Sequence, residues 1–160
     1  MNPSHVQRYI QAFEHLSPAT LGPLEDCFAE RARFVDPFND VHGRPAIRGV
    51  FEHMFASCKD PRFGVDECVG DDNLIYLRWQ FSFGDASARR VVHGVSRVQF
   101  ADNGLVTEHR DSWDPASQLY EKIPFLGGLF RALRNRLAAS SLKSSYTHSI
   151  SSDTAQRNRT

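Results

Sequence analysis

The sequence has little of what marks a specialised environment. Only three of its 160 residues are cysteine. They stand at positions 27, 58 and 68 without metal-ligand spacing, which argues against a disulfide framework and predicts buried thiols in a reducing compartment. Neither charge is in excess: 19 Lys and Arg balance 19 Asp and Glu, so no overall field draws the chain to nucleic acid or to an anionic membrane. It lacks any run of about 18 apolar residues that could cross a bilayer. It also lacks the basic-then-apolar opening of a secretory leader, so a cytoplasmic location is expected. No repeat of 20–50 residues occurs. A hydrophobic share of 41% is enough for one core, and the length predicts a single domain.

Periodicity divides the chain into helices followed by strands. Val6, Tyr9, Ile10, Phe13 and Leu16 recur at helical spacing and predict a helix over 5–16, stopped by Ser17-Pro18. A second short helix is expected over 21–29, and a strand over 33–38, where Pro37 removes a ladder donor. The segment 39–45 reads as a turn, with Pro45 suited to the first turn of a third helix reaching Ser57. Four segments near 62–69, 73–83, 89–101 and 104–114 then alternate β-branched and aromatic residues between Gly and Asp turns, which predicts an antiparallel meander. Asp102-Asn103-Gly104 is the clearest of its hairpin signals. This order predicts an α+β fold in which N-terminal helices cover the concave face of a curved antiparallel sheet, leaving a cone-shaped pocket. The domain is assigned to 1–138, including an amphipathic helical segment over 116–138. Residues 139–160, rich in Ser and Thr, are expected to form a disordered tail.

Two segments make a family comparison specific: Val6-Gln7-Arg8-Tyr9-Ile10 in the first helix, and Phe34-Val35-Asp36-Pro37-Phe38 followed by Gly43. With the helix and strand order, they resemble the ketosteroid-isomerase-like (nuclear transport factor 2-like) superfamily. The resemblance implies that Tyr9 donates a hydrogen bond to a substrate oxyanion and that Asp36 moves the proton. It places Ser96 where those isomerases carry a second, protonated acid, and a hydroxyl lacks that group's acidity. The last strand, Glu108-His109-Arg110-Asp111-Ser112-Trp113, resembles that of SnoaL-type polyketide cyclases, which implies an acid/base role for Asp111. Homodimerisation through the outer sheet face is likewise implied by the resemblance alone.

Strand alternation puts His109, Asp111 and Trp113 on one face, and Trp79 and Phe81 on one face of the third meander strand. The resemblance turns both sets toward the pocket, with Phe38 and Phe55 assigned to the same walls. An aspartate titrating near pH 4 is a poor base at neutrality unless desolvation or a like charge raises its pKa. Aromatic walls offer the first and a second carboxylate the second, so Asp36 and Asp111 in one cavity would suit a general acid beside a general base. His109 would either transfer protons or orient Asp111.

The reading is a cofactor-independent and metal-independent acid/base enzyme of isomerase, cyclase or dehydratase type, acting on an apolar, carbonyl-bearing small molecule. The alternative is a ligand-binding or assembly protein without turnover, which leaves enzyme status open. An epoxide hydrolase comes third, since Arg78 and Arg110 should face away from the pocket. The 116–138 segment is read as a lid, a subunit contact or, less favoured, a membrane-lying helix.

Overall fold

Helix α1 (His5–Glu14) begins at a reciprocal cap, in which the Gln7 N–H donates to Ser4 Oγ at 3.2 Å and the Ser4 N–H to Gln7 Oε1 at 3.1 Å. The cap satisfies two open helix donors, and the helix buries Tyr9 and Phe13, four residues apart on one face. This computed structural model describes residues 4–120. A 3-10 turn (Pro18–Thr20) leads into the short α2 (Leu21–Glu25), followed by β1 (Phe28–Val35), β2 (Asp40–His42) and α3 (Arg44–Ser57). The meander follows as β3 (Arg62–Gly70), β4 (Leu74–Phe83), β5 (Arg90–Phe100) and β6 (Val106–Ser112), then a one-turn helix α4 (Pro115–Gln118).

The six strands form one sheet in the order β2-β1-β6-β5-β4-β3. β3 to β6 pair antiparallel with their sequence neighbours, whereas β1 runs parallel to β6. Alternation works as the sequence predicts: along β4, Ile75, Leu77 and Trp79 are buried while Tyr76, Arg78 and Gln80 are exposed. Register shifts at Val65/Glu67 and at Gln99/Phe100 interrupt the ladders, and such bulges bend strands and help curve a sheet into a cup. The helices α1 and α3 pack on β3 and β1. Leu24, Phe28, Ile47, Val98 and Val106, each at most 2% exposed, form the floor between them. Each such side chain contributes about 1.5–3 kcal/mol of burial free energy.

Three expectations need correction. The strand expected over 33–38 begins at Phe28, inside the span predicted as the second helix. The apolar spacing of Leu24, Cys27 and Phe28 looks helical, but Phe28 pairs with Val106 on the parallel neighbour, so the tertiary ladder overrides the local pattern. The 39–45 turn contains β2, whose Val41 pairs with Phe34. Its side chains sit on the sheet edge, so no buried alternation reveals it. Of the three thiols only Cys27 is buried; Cys58, at the end of α3, is intermediate, and Cys68, on the edge strand β3, is exposed. The readings placed on most of the 116–138 segment and on all of 139–160 fall outside the described residues.

Candidate functional site

Between the sheet's inner face and helices α1 and α3 lies a cavity of about 310 Å³, at the small end of ordinary ligand sites. Its walls are mainly aromatic: Phe13, Phe34, Phe51, Phe63, Trp79 and Phe81 all contribute. Their rings pack on one another, tilted in the Phe63 and Phe81 pair with centroids 4.6 Å apart and edge to face in the Phe34 and Phe51 pair at 5.4 Å. Phe38, 55% exposed, meets Trp113 edge to face at 5.5 Å and stands at the opening.

At the buried end the polar groups form one chain. Tyr9 is fully buried, and that burial, with Asp111 and Cys27 as lesser contributors, pushes its phenol well above the ordinary tyrosine pKa. The O–H therefore stays on, and its one hydrogen-bond partner among the described residues is His109 Nδ1 at 2.6 Å, which accepts it in the neutral imidazole. With Nδ1 accepting, the imidazole proton sits on Nε2, which donates to Asp111 Oδ1 at 2.7 Å. From the other side the indole N–H of Trp79 donates to Ser96 Oγ at 2.7 Å, and the Ser96 hydroxyl donates to the same Asp111 Oδ1. All four donors thus point along the chain toward one carboxylate oxygen. Rings of Phe34 and Phe13 stack on His109 at 4.7 and 5.6 Å and hold its plane.

The backbone explains why these side chains meet. Ser96 lies directly across the β5–β6 ladder from Asp111, and Val98 across from His109. Phe34 is the parallel partner of His109. Trp79 reaches Ser96 because its own cross-strand partner is Gly94. A Cβ at Gly94 would come within 2.3 Å of the indole ring. Gly94→Ala is therefore expected to push Trp79 off Ser96 and to destabilise the fold by about 1–3 kcal/mol. Urea denaturation measures the loss, and an unchanged midpoint would show that the ring has room elsewhere.

Asp36 also lines the cavity, but its carboxylate is occupied by its own turn. Oδ1 accepts from the N–H groups of Phe38 and Asn39, both at 2.7 Å, and Asn39 Nδ2 spans both oxygens at 3.0 and 2.9 Å. This is an Asx turn fixing the loop from β1 to β2. Asp36→Ala is expected to lower stability by about 1–3 kcal/mol through loss of those charge-assisted bonds, and thermal melts check it. Asp40 makes a two-point pair with Arg33 at 2.8 and 2.7 Å, which holds its carboxyl below the usual range.

Of the residues singled out from the sequence, Asp36, Phe38, Trp79, Phe81, Ser96, His109, Asp111 and Trp113 line the cavity. Two do not. Tyr9 lies behind His109 with its hydroxyl spent there, so it stands one step away from any ligand. Phe55, one turn beyond Phe51, is partly buried against the core and does not reach the cavity. Sequence reasoning missed Phe13 and Phe34 as walls, although their helical and strand periodicities already placed them inward. It also missed His53, Ser57 and Cys58 along the α3 rim. Arg78 and Arg110 are turned to the outer face, beside Glu67 at 3.6 Å and Glu108 at 3.8 Å. Among the described residues, no group of three His, Cys, Asp or Glu side chains is placed to hold a metal ion. None of their helices is long and apolar enough to cross a membrane.

Residues 6–109 match the SnoaL-like domain. The chain belongs to the SnoaL-like domain family. No curated protein matches it. Solved structures share the fold at low identity. A protein of ketosteroid isomerase-like fold from Catenulispora acidiphila, in complex with trimethylamine, is 15% identical over 74% of this chain and 92% of its own, with a TM-score of 0.62. An LEH-like epoxide hydrolase from Mycobacterium tuberculosis is 13% identical over 85% and 94%, with a TM-score of 0.58. Another M. tuberculosis protein, in complex with estradiol-17beta-hemisuccinate, is 12% identical over 69% and 91%, with a TM-score of 0.55. The polar chain ends on Asp111, two residues past the SnoaL-like match, and draws on α1, β4, β5 and β6.

Proposed function

We propose that the protein is an acid/base catalyst that uses Asp111 to take and return a proton on an apolar small molecule held in the aromatic cavity. The observation that carries this reading is the convergence of Ser96 and His109 on one oxygen of Asp111. Two donors orient the carboxylate and leave its second oxygen for a ligand. Asp36, bonded to its own loop, anchors the opening in this reading. Isomerisation, cyclisation and dehydration all contain such a proton transfer, and a dry aromatic site favours it by excluding water.

The test is hydrogen–deuterium exchange at the acidic α-carbon of 2-tetralone, a flat apolar ketone, followed by NMR in D₂O. The reading stands if native protein accelerates exchange and Asp111→Asn does not, with folding checked by circular dichroism. It falls if the Asp111 variant matches the native protein.

A binding protein without turnover is the second reading, favoured by the mainly aromatic lining of the cavity. Binding of 2-tetralone with no accelerated exchange would select it. A homodimer belongs to either reading. Val69, Tyr76, Val91 and Val95, between 37 and 59% exposed, leave apolar area on the outer sheet face. Light scattering on the eluting peak is expected to give twice the 18.1 kDa chain mass.

A further inference from the structure

The polar end of the cavity has a direction. In Tyr9, Trp79, Ser96 and His109, the side-chain N–H and O–H donors are all committed within the chain: Tyr9 to His109, Trp79 to Ser96, and both Ser96 and His109 to Asp111 Oδ1. The direction is set at both ends by geometry: an indole N–H only donates, and the fully buried Tyr9 O–H has His109 Nδ1 as its one partner among the described residues. Ser96 Oγ accepts from the indole, so its own hydrogen is left for Asp111. No hydrogen in this cluster is left for a ligand's carbonyl oxygen. What the cluster presents instead is an acceptor. Asp111 Oδ2 makes no hydrogen bond to the described residues, and the side chain is 17% exposed on the cavity wall. Ser96 and His109 beside it are 2 and 3% exposed, so this is the dry end. The Asn39 amide is likewise turned to Asp36. His53 and Ser57 stand on the exposed rim of α3, and Trp113 is with Phe38 at the opening.

We propose that the ligand of this cavity is a flat apolar molecule that leads with a hydrogen-bond donor, a phenol or enol O–H, and delivers it to Asp111 Oδ2. The inference rests on Asp111 as the polar centre of the site and refines the substrate class. A bare ketone would leave its oxygen facing a carboxylate with no donor, whereas a phenol or enol satisfies the open lone pairs and stacks its ring on the aromatic walls.

Three probes of nearly equal shape test it by isothermal titration calorimetry: 2-naphthol, 2-methoxynaphthalene and 2-acetonaphthone. Native protein is expected to bind 2-naphthol at least about tenfold more tightly than either of the others, the value of one hydrogen bond to a charged group. In Asp111→Asn, the Ser96 O–H and His109 N–H hold the amide oxygen in the place of Oδ1, which puts the amide NH₂ where Oδ2 was. The acceptor becomes a donor, and the preference is expected to move to 2-acetonaphthone. Equal binding of 2-naphthol and its methyl ether by native protein, preference for the ketone, or binding of none of the three overturns the inference. The native protein alone decides the matter if the variant fails to fold. Failure here is separable from failure of the catalytic reading: a protein that prefers 2-naphthol but exchanges no proton on 2-tetralone keeps this inference and loses the other.

Discussion

The Asp111→Asn protein is expected to lose about 10²–10⁴-fold in the rate of proton exchange on 2-tetralone, the range of one positioned general base. The substitution conserves size, and the amide oxygen can accept from both Ser96 and His109 as Asp111 Oδ1 does. Packing and orientation are therefore kept, and only the charge and its proton affinity are lost. The expected signature is a fall in kcat with a melting temperature close to native. A comparable fall in Asp36→Asn would require both carboxylates to take part in proton transfer. That outcome is not expected, since Asp36 already serves three donor groups in its loop. Equal rates in native and Asp111→Asn protein would leave the cavity a binding site.

Tyr9→Ala is expected to be severely destabilising, by about 3–5 kcal/mol, as for other large aromatic-to-alanine changes in a core. The ring is fully buried and makes edge contacts with Phe13, Phe28 and Phe100 at 5.1 to 5.8 Å. Tyr9→Phe separates the ring from its hydroxyl. Packing survives, but His109 Nδ1 is left buried without its donor, at a cost of about 1–3 kcal/mol. Urea denaturation measures both, and ¹⁵N chemical shifts of His109 add a signature that packing alone would not move. Native protein should show a bare Nδ1 and a protonated Nε2. A Tyr9→Phe protein as stable as the native one, with the same ¹⁵N shifts, would show that the phenol plays no part in holding the imidazole.

These expectations rest on a contact that the sequence did not disclose. Helix α1, helix α3 and the four-strand meander were legible, because hydrophobic period and turn residues are local signals. So was the inward face of β6: alternation alone put His109, Asp111 and Trp113 together, and all three line the cavity. What local pattern could not supply was distance across the sheet. Tyr9 was assigned to a ligand by resemblance, yet its hydroxyl is taken up by a residue 100 positions away. That pairing depends on how far α1 sits above β6, which no period encodes. Gly94 drew no notice for the same reason, since its meaning comes only from facing Trp79. Asp36 shows the converse: a strand-end aspartate before proline fits both a catalytic role and an Asx turn, and the residue type is the same for each.

The parallel seam between β1 and β6 joins the start of the domain to its end. Phe34 pairs with His109, 74 intervening positions along the chain, and no local hairpin can prepare that meeting. On a ribosome the edge of β1 that faces β6 must wait unpaired until that strand is released. Growth from the N-terminus therefore gives no partial site, and a truncation just before residue 106 would remove the acceptor together with the strand that joins the two halves of the cup.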